Sequence, residues 1–272
     1  MSWLGTKTSW LGTKTSWFWA KDARPVSGGV MALNFAAALL VLTLLFYYAF
    51  QQSLVAWQGE VLVKYQAIFW RGWWLTIRVS AVSLVCSTIL GFLWALAGRS
   101  HFLPLRAMAK ICVELIRGTP LLAQIYIFFY VVANAFQLNN RFIVGILTLS
   151  IFSGAYIAEV FRAGIESIGK SQLESAKAIG LDRWQTYRYI IIPQAIRVTL
   201  PPLAGQFASI IKDSSLLSTV AIIEFTKSAA DVASLTYSNL ECYLMLAPGY
   251  LLLTLPISLW TQWLEKKHRY ET

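Results

Sequence analysis

The chain has 272 residues, of which 57% are hydrophobic and only 13% are charged. Soluble domains carry roughly 25% charged residues, so this composition excludes an ordinary soluble fold and indicates that most of the chain is solvated by lipid. The formal net charge of +10 does not indicate nucleic-acid binding, because the Lys and Arg residues lie between apolar segments and do not cluster on one amphipathic face.

The first 28 residues form an N-terminal tail in which the heptapeptide SWLGTKT, residues 2–8, recurs unchanged at residues 9–15. Two copies cannot build a stacked repeat fold, which favours a simple duplicated tail. The alternative is a strip of Trp and Lys residues at the level of the lipid headgroups. A cleaved signal peptide is not expected, because the apolar run that follows is too long.

Six apolar segments follow the tail, each long enough to cross a hydrocarbon core of about 30 Å, which takes about 20 helical residues. They cover residues 29–50, 70–97, 111–136, 142–161, 203–223 and 243–264. The sequence therefore predicts an all-α integral membrane protein with about six transmembrane helices.

The Lys and Arg residues alternate between rich and poor connections along the chain. They are concentrated in the N-terminal tail, in residues 98–110, in residues 162–197 and at the C-terminal end, whereas the other loops carry one or two each. Positive charge accumulates in cytoplasmic loops. Both termini and segment 162–197 are therefore predicted to be cytoplasmic. Trp70, Trp73 and Trp74 are expected in an interfacial turn that begins the second span, as part of an aromatic belt.

Residues 170–193, KSQLESAKAIGLDRWQTYRYIIIP, contain the start and stop signals of two short helices. Ser171 and Glu174 have the spacing of a capping box, and Gly180 is suited to the left-handed residue that ends a helix. Asp182 can cap a second helix, which Pro193 is expected to stop. These signals alone do not decide between a docking element for a soluble partner and a surface hairpin that orients neighbouring spans.

The same loop carries a motif with defined spacing. Glu174-Ser175-Ala176 is followed after three residues by Gly180, and after nine more by Ile190-Ile191-Ile192-Pro193. This resembles the EAA signature of permease subunits of ABC importers, with Ser175 and Ile192 as departures. Other segments resemble the polar amino-acid branch, the histidine/glutamine type, and the resemblance covers residues 70–265. These segments are 117–124, 154–162, 193–195, 200–202 and 212–216.

The resemblance implies a permease domain over residues 70–265 with the five-helix core of a type I ABC importer, in the inner membrane of a bacterium. Residues 29–50 are then an extra N-terminal transmembrane helix, and residues 163–199 form a cytoplasmic coupling loop. The residues implied to couple to the ATPase are Glu174, Ser175, Ala176, Gly180 and Pro193.

The resemblance also implies the partners: a cytoplasmic ABC ATPase dimer, a second permease subunit that is identical or a sibling, and an extracytoplasmic amino-acid-binding protein. The chain itself has no G-x-x-x-x-G-K-[ST] phosphate loop, so ATP and Mg would be bound by the partner ATPase. The chain is thus expected to be a transport subunit and not an enzyme, working by alternating access.

Polar residues recur on one side of several predicted spans, where an unpartnered charge is costly. Our hypothesis is that Glu159 meets the ammonium group of an amino-acid substrate. Further residues are expected to shape the pocket, namely Tyr156, Gln124, Ser209 and Asp213. The alternative is that Glu159 with Arg162, and Lys212 with Asp213, neutralise one another between packed helices.

The sequence must also be compared with two other classes of membrane protein, a carrier and an enzyme. A self-sufficient secondary carrier or channel for a small polar solute is the main alternative, although residues 70–265 show no duplicated half. A metal or disulfide site is not expected, because Cys86, Cys112 and Cys242 are far apart and lack ligand spacing. A positioned acid, base and nucleophile, which a membrane enzyme would need, are not recognisable.

Overall fold

The computed structural model describes residues 28–52 and 57–268. The chain divides into two compact units, residues 1–56 and 57–272. The predicted tail with its tandem heptapeptide lies outside the described residues. In the first unit, helix α1 spans Gly28–Gln52 and contains no charged residue. Its 25 residues extend about 37 Å, enough to cross a bilayer.

The described part of the second unit is helical, with short α, π and 3₁₀ segments between the long helices. The helices are α2 (Glu60–Lys64), α3 (Gln66–Ala97), α4 (Leu103–Arg117), α5 (Leu121–Ile127), α6 (Ala133–Ala135), α7 (Arg141–Glu166), α8 (Lys170–Ala178), α9 (Arg183–Thr186), α10 (Ile192–Asp213), α11 (Phe225–Thr236) and α12 (Asn239–His268). Two π-helical turns, Phe128–Val132 and Tyr187–Ile191, and one 3₁₀ segment, Ser214–Val220, complete the path.

Helices α3 and α7 pack closely through small residues. Ser83, Ser87 and Gly91 recur along α3 at intervals of four, and all are buried. A Cβ on Gly91 would lie 2.8 Å from the carbonyl oxygen of Gly154 on α7, too close for any side chain. Small residues at helix interfaces let backbones approach where lipid supplies no hydrophobic drive. This pair forms the centre of the second unit.

Four described helices, α1, α3, α7 and α12, are long and apolar enough to cross a membrane. A fifth crossing results if α4 and the segment Leu121–Ala135 count as one span bent by 112°. The all-α membrane fold is therefore confirmed, with four or five crossings by length and composition.

The predicted span 111–136 is sharply bent and begins earlier, at Leu103. The chain breaks at Gly118-Thr119-Pro120 between α4 and α5. Pro120 lacks a backbone donor and its ring crowds the preceding turn, which favours a kink or a break at this point. An average of hydropathy over the segment does not register this break.

The predicted span 203–223 also differs from the structure. Helix α10 begins earlier, at Ile192, and ends at Asp213, where a 3₁₀ segment leads to Ala221 in the left-handed conformation, with φ of 58°. The hydroxyl groups of Ser214 and Ser215 donate to backbone carbonyls three residues earlier, at 2.8 and 2.6 Å. Such bonds compete with a regular α-helix.

The tryptophans near the start of α3 lie in the helix and not in a turn, and their place at the membrane interface stays a prediction. Trp70 and Trp73 stack with centroids 5.0 Å apart, and Trp74 meets both edge-on. The indole nitrogen of Trp73 donates to the carbonyl of Gly249 on α12 at 3.0 Å. The cluster thus ties α3 to α12.

Candidate functional site

The turn between α8 and α9 has the geometry that the sequence predicted for Gly180. Gly180 has φ of +79°, a conformation that favours glycine. The amide of Leu181 donates to the carbonyl of Ala176, and that of Gly180 to Lys177, both at 3.0 Å. This pair of bonds is a Schellman motif, which satisfies the last carbonyls of α8.

The capping box lies on the second helix of this hairpin and not on the first, so the prediction for Ser171 and Glu174 is wrong. Gly169 precedes α8 in an extended conformation and no side chain caps the helix. Ser171 is therefore already inside the first turn. At α9, Asp182 accepts from the amide of Gln185 at 2.7 Å, and the Gln185 side chain accepts from the amide of Asp182 at 3.0 Å. The predicted cap at Asp182 is confirmed.

Pro193 does not stop the second helix, contrary to the prediction. It is the second residue of α10, and the helical path continues through it. The π-helical turn Tyr187–Ile191 joins α9 directly to α10. The backbone thus runs helically from the hairpin into a long helix of the second unit.

The hairpin, residues 170–193, presents a groove of about 350 Å³. Its lining consists of Ser171, Gln172, Ser175, Ala176, Ile179, Tyr189, Ile190 and Gln194. Ala176 is buried at its base, and the side-chain amides of Gln172 and Gln194 meet at 2.5 Å. Ile179, Trp184 and Tyr189 are 64–74% exposed. Large apolar side chains grouped on a polar hairpin indicate a surface for a protein partner.

Five charged residues on α4 and α7 form a network, in which Arg117 also lies 3.9 Å from Glu114. The Nε atom of Arg162 donates to Glu159 at 2.8 Å, and Arg162 also contacts Glu166. Arg117 lies 3.6 Å from the Glu159 carboxylate, and its guanidinium group lies 5.7 Å from the centroid of the Tyr156 ring. The Glu159 carboxylate thus has two arginine partners, as expected if its charge is neutralised between packed helices. A ligand ammonium would have to compete with Arg162.

The Gln124 side chain donates hydrogen bonds to groups at the bend between α4 and α5. Its side chain is 7% exposed, and its amide nitrogen donates to the carbonyls of Ile116 and Thr119, at 2.7 and 3.2 Å, and to the Thr119 hydroxyl at 2.8 Å. These contacts satisfy backbone groups that the break leaves open. The amide nitrogen of Gln124 is therefore committed to the fold.

Ser209 and Asp213 lie on α10, and no described hydrogen bond or ion pair links them to the network. The Ser209 hydroxyl donates to the carbonyl of Gly205 at 3.4 Å. Asp213 is half-buried at the end of α10, and Lys212 is exposed. Lys212 and Asp213 form no ion pair within 4.0 Å in the part of the chain that the structure describes, although their charges still act on each other.

The structure thus brings Tyr156 and Glu159 together around Arg117, whereas no described hydrogen bond or ion pair links Gln124, Ser209 or Asp213 to Glu159. Sequence reasoning missed Glu166, although its position four residues after Arg162 is a usable signal. Within residues 28–52 and 57–268, no three His, Cys, Asp or Glu residues are grouped as metal ligands.

Comparison with known proteins agrees with this geometry. Residues 87–270 match the family described as binding-protein-dependent transport system inner membrane component. The probable glutamine ABC transporter permease protein GlnM of Bacillus subtilis is 36% identical over 201 residues, covering 74% of this chain and 93% of that protein. The glutamine transport system permease protein GlnP of Escherichia coli K12 is 33% identical over 195 residues, covering 71% and 89%.

A solved structure gives the same result. The crystal structure of an amino acid ABC transporter with histidines superposes with a TM-score of 0.73 at 32% identity, and the match covers 78% of this chain and all of that one. The family match spans more than half of the chain, and it includes the hairpin, the charged network and α10. The chain therefore belongs to the family of binding-protein-dependent transport system inner membrane components.

Proposed function

We propose that this chain is the membrane-spanning permease subunit of an ATP-driven importer that translocates a polar amino acid by alternating access. The substrate class is supported by the relatives, whose names specify glutamine, and by the solved amino acid transporter with histidines. The extracytoplasmic binding protein and the second permease subunit belong to the same proposal.

The single observation that carries the proposal is the hairpin 170–193. Its two helices are fixed by the Schellman motif at Gly180 and the capping box at Asp182, so its shape does not depend on a partner. It nevertheless leaves Ile179 and Trp184 exposed beside a groove. A rigid element with uncovered apolar side chains is suited to dock against a cytoplasmic ATPase.

Coupling follows from the connection between the hairpin and α10. A force applied at α9 passes through the π-helical turn 187–191 into α10 without an intervening loop. Packed helices respond to such a force as rigid bodies rather than by gradual deformation. Movement of the ATPase subunits on ATP binding would therefore rotate or shift α10 against α3 and α7. ATP and Mg stay on the ATPase.

The proposal is tested by placing a charge in the docking surface. Ile179→Asp buries an unpaired carboxylate if the ATPase covers this residue, whereas Ala178→Asp adds the same charge one residue earlier, at a position that does not line the groove. We expect Ile179→Asp to abolish both ATPase co-purification and uptake, and Ala178→Asp to retain both.

Equal ATPase retention in the two variants would contradict the assignment of the docking surface. Substrate uptake by the purified chain in liposomes without any ATPase would instead contradict the ATP-driven mechanism and support a secondary carrier.

A further inference from the structure

Helix α10 ends before it could cross the hydrocarbon layer. The sequence places residues 162–197 on the cytoplasmic side, so the part of α10 within the membrane begins near Val198. From Val198 to Asp213 an α-helix rises about 23 Å, which is less than the hydrocarbon core of about 30 Å. The chain then continues as the 3₁₀ segment Ser214–Val220. The change from α-helix to 3₁₀ helix therefore lies at membrane depth.

The 3₁₀ segment has one buried face. Ser214, Leu217 and Val220 follow one another at steps of three, which is the period of a 3₁₀ helix, and all three are buried. Leu217 and Val220 belong to an apolar cluster that includes Val79 on α3 and Leu149 on α7. This face thus anchors the segment to the central helix pair.

Another side of the segment is polar. Lys212 and Thr219 are exposed, and Ser215 and Ser218 are partly exposed. Lys212, Ser215 and Ser218 also follow one another at steps of three, so they lie on one side. The hydroxyl groups of Ser215 and Thr219 donate to backbone carbonyls three residues earlier, at 2.6 and 2.7 Å, and their oxygens remain available as acceptors. We refer to these four residues as the polar edge.

Lipid is a poor cover for the polar edge. A lysine at membrane depth is costly unless it meets water or a partner, and backbone other than α-helix is tolerated there only inside protein or beside water. Lys212 forms no ion pair within 4.0 Å among residues 28–52 and 57–268. By contrast, α12 exposes Leu251, Leu252 and Leu255, as expected of a surface that faces lipid. The polar edge therefore needs an aqueous neighbour.

We infer that the polar edge lines the aqueous path of the transported solute. This inference rests on the proposed function, because it takes the chain to be a transport subunit. Lys212 supplies a positive charge for the carboxylate of an amino acid, and the hydroxyl oxygens of Ser215 and Thr219 can accept from its ammonium group. Because the hairpin 170–193 runs directly into α10, the polar edge lies at the far end of the helix on which the ATPase would act.

The experiment combines thiol labelling with uptake. The three native cysteines are replaced by serine, and single cysteines are introduced into the full chain, which is purified with its partner subunits and reconstituted in liposomes. Thr219→Cys tests the polar edge, Leu252→Cys the leucine side of α12, and Asn139→Cys an exposed loop position away from both. A membrane-impermeant maleimide that carries a sulfonate group is added, and mass spectrometry follows the labelled fraction over time.

We expect Thr219→Cys and Asn139→Cys to be labelled at least roughly tenfold faster than Leu252→Cys, because only a hydrated thiol ionises to the reactive thiolate. Labelling should abolish amino-acid uptake in Thr219→Cys, where the added group obstructs the path, and leave uptake unchanged in Asn139→Cys. If Thr219→Cys does not assemble, Ser218→Cys takes its place.

The role of Lys212 is tested by the charge of the reagent. A sulfonate maleimide should label Thr219→Cys faster than a quaternary ammonium maleimide, because Lys212 attracts the anion and repels the cation. Adding Lys212→Gln should remove this preference, whereas adding Lys212→Arg should keep it. A preference that persists in the Lys212→Gln background would show that Lys212 does not face the path.

Three results would overturn the proposal. Labelling of Thr219→Cys as slow as that of Leu252→Cys would mean that lipid or protein covers the polar edge. A disulfide between two copies of the Thr219→Cys chain, without labelling, would identify that cover as a second permease subunit. Fast labelling without loss of uptake would place the edge in water but away from the path. The labelling rates do not require ATP, so failure of this proposal is distinguishable from failure of the ATP-driven mechanism.

Discussion

The hairpin 170–193 and the charged network of α4 and α7 differ in how they satisfy their own groups. In the hairpin, the end of α8 and the start of α9 are capped, while Ile179 and Trp184 stay exposed. In the network, Glu159 and Arg162 satisfy each other at 2.8 Å. The hairpin thus has a defined shape of its own but leaves large apolar side chains exposed. In the network every carboxylate already pairs with an arginine, so a ligand would have to break existing pairs, although the Nε atom of Arg117 is buried without a hydrogen-bond partner among the described residues.

This difference shows how the two regions respond to a partner. The hairpin can gain apolar burial on docking without losing any contact of its own. If a ligand ammonium bound Glu159, the network would exchange the Glu159–Arg162 ion pair for a pair between Glu159 and the ligand. This exchange changes the free energy little, since exposed ion pairs contribute about 0–1 kcal/mol. A pair of this kind can open for a substrate and close again after its release.

Neutralising Glu159 has the largest expected effect. If Glu159 binds the substrate ammonium, Glu159→Gln removes a charge-assisted hydrogen bond worth about 1.5–3 kcal/mol, and uptake falls at least roughly tenfold. The double variant Glu159→Gln/Arg162→Gln loses the same bond and should show the same fall. Arg162→Gln alone leaves the carboxylate available, so uptake stays within a few-fold of the unsubstituted protein. Uptake of labelled amino acid into proteoliposomes measures all three.

The double variant separates the two roles of Glu159. It removes both charges of the pair, so a purely neutralising role predicts normal uptake. Subunit assembly and ATP hydrolysis serve as controls and are expected to be unchanged in every variant. Normal uptake by the double variant would show that Glu159 only balances Arg162.

A smaller effect is expected from Gly180→Ala in the hairpin. A Cβ at φ of +79° costs about 1 kcal/mol, which corresponds to about a fivefold loss in the population of the docking conformation. Gly169→Ala is the matched control, because Gly169 has φ of −60° and an added Cβ meets no atom closer than 3.6 Å. Titration of the purified ATPase onto each variant gives the affinity ratio. Equal affinities would mean that docking of the ATPase does not require the left-handed turn at Gly180.

Much of the fold could be predicted from the sequence, because hydropathy and capping are local signals. The all-α class, the left-handed turn at Gly180 and the cap at Asp182 depend on neighbouring residues alone. The sharp bend at Pro120 is not visible in the hydropathy pattern, because the apolar run continues on both sides of it. The end of α10 at Asp213 was missed because apolar residues on either side of 213–215 conceal the change to a 3₁₀ segment.

The candidate site could be predicted only in part. The spacing of Glu159, Arg162 and Glu166 along one helix predicts their pairing. The contact between Glu159 and Arg117, 3.6 Å apart, joins two helices and depends on how closely α4 packs on α7. The hydrogen bonds of Gln124 to Ile116 and Thr119 likewise depend on the angle of the bend, which the sequence does not give. Contacts between elements require the packing, which local patterns do not contain.

The smallest expected effect comes from the two candidate caps of the hairpin, which have the same sequence pattern. Asp182→Ala removes the observed capping box and should destabilise α9 by about 1 kcal/mol. Ser171→Ala removes no cap and should leave α8 unchanged within a few tenths of a kcal/mol. Amide hydrogen exchange of residues 183–191 and 171–178 measures each helix separately. Faster amide exchange in α8 of the Ser171→Ala variant would support the capping box that the sequence predicted at Ser171. If only α9 responds, the start of α8 is set by Gly169 and the buried Ile168, where the chain leaves the packed core.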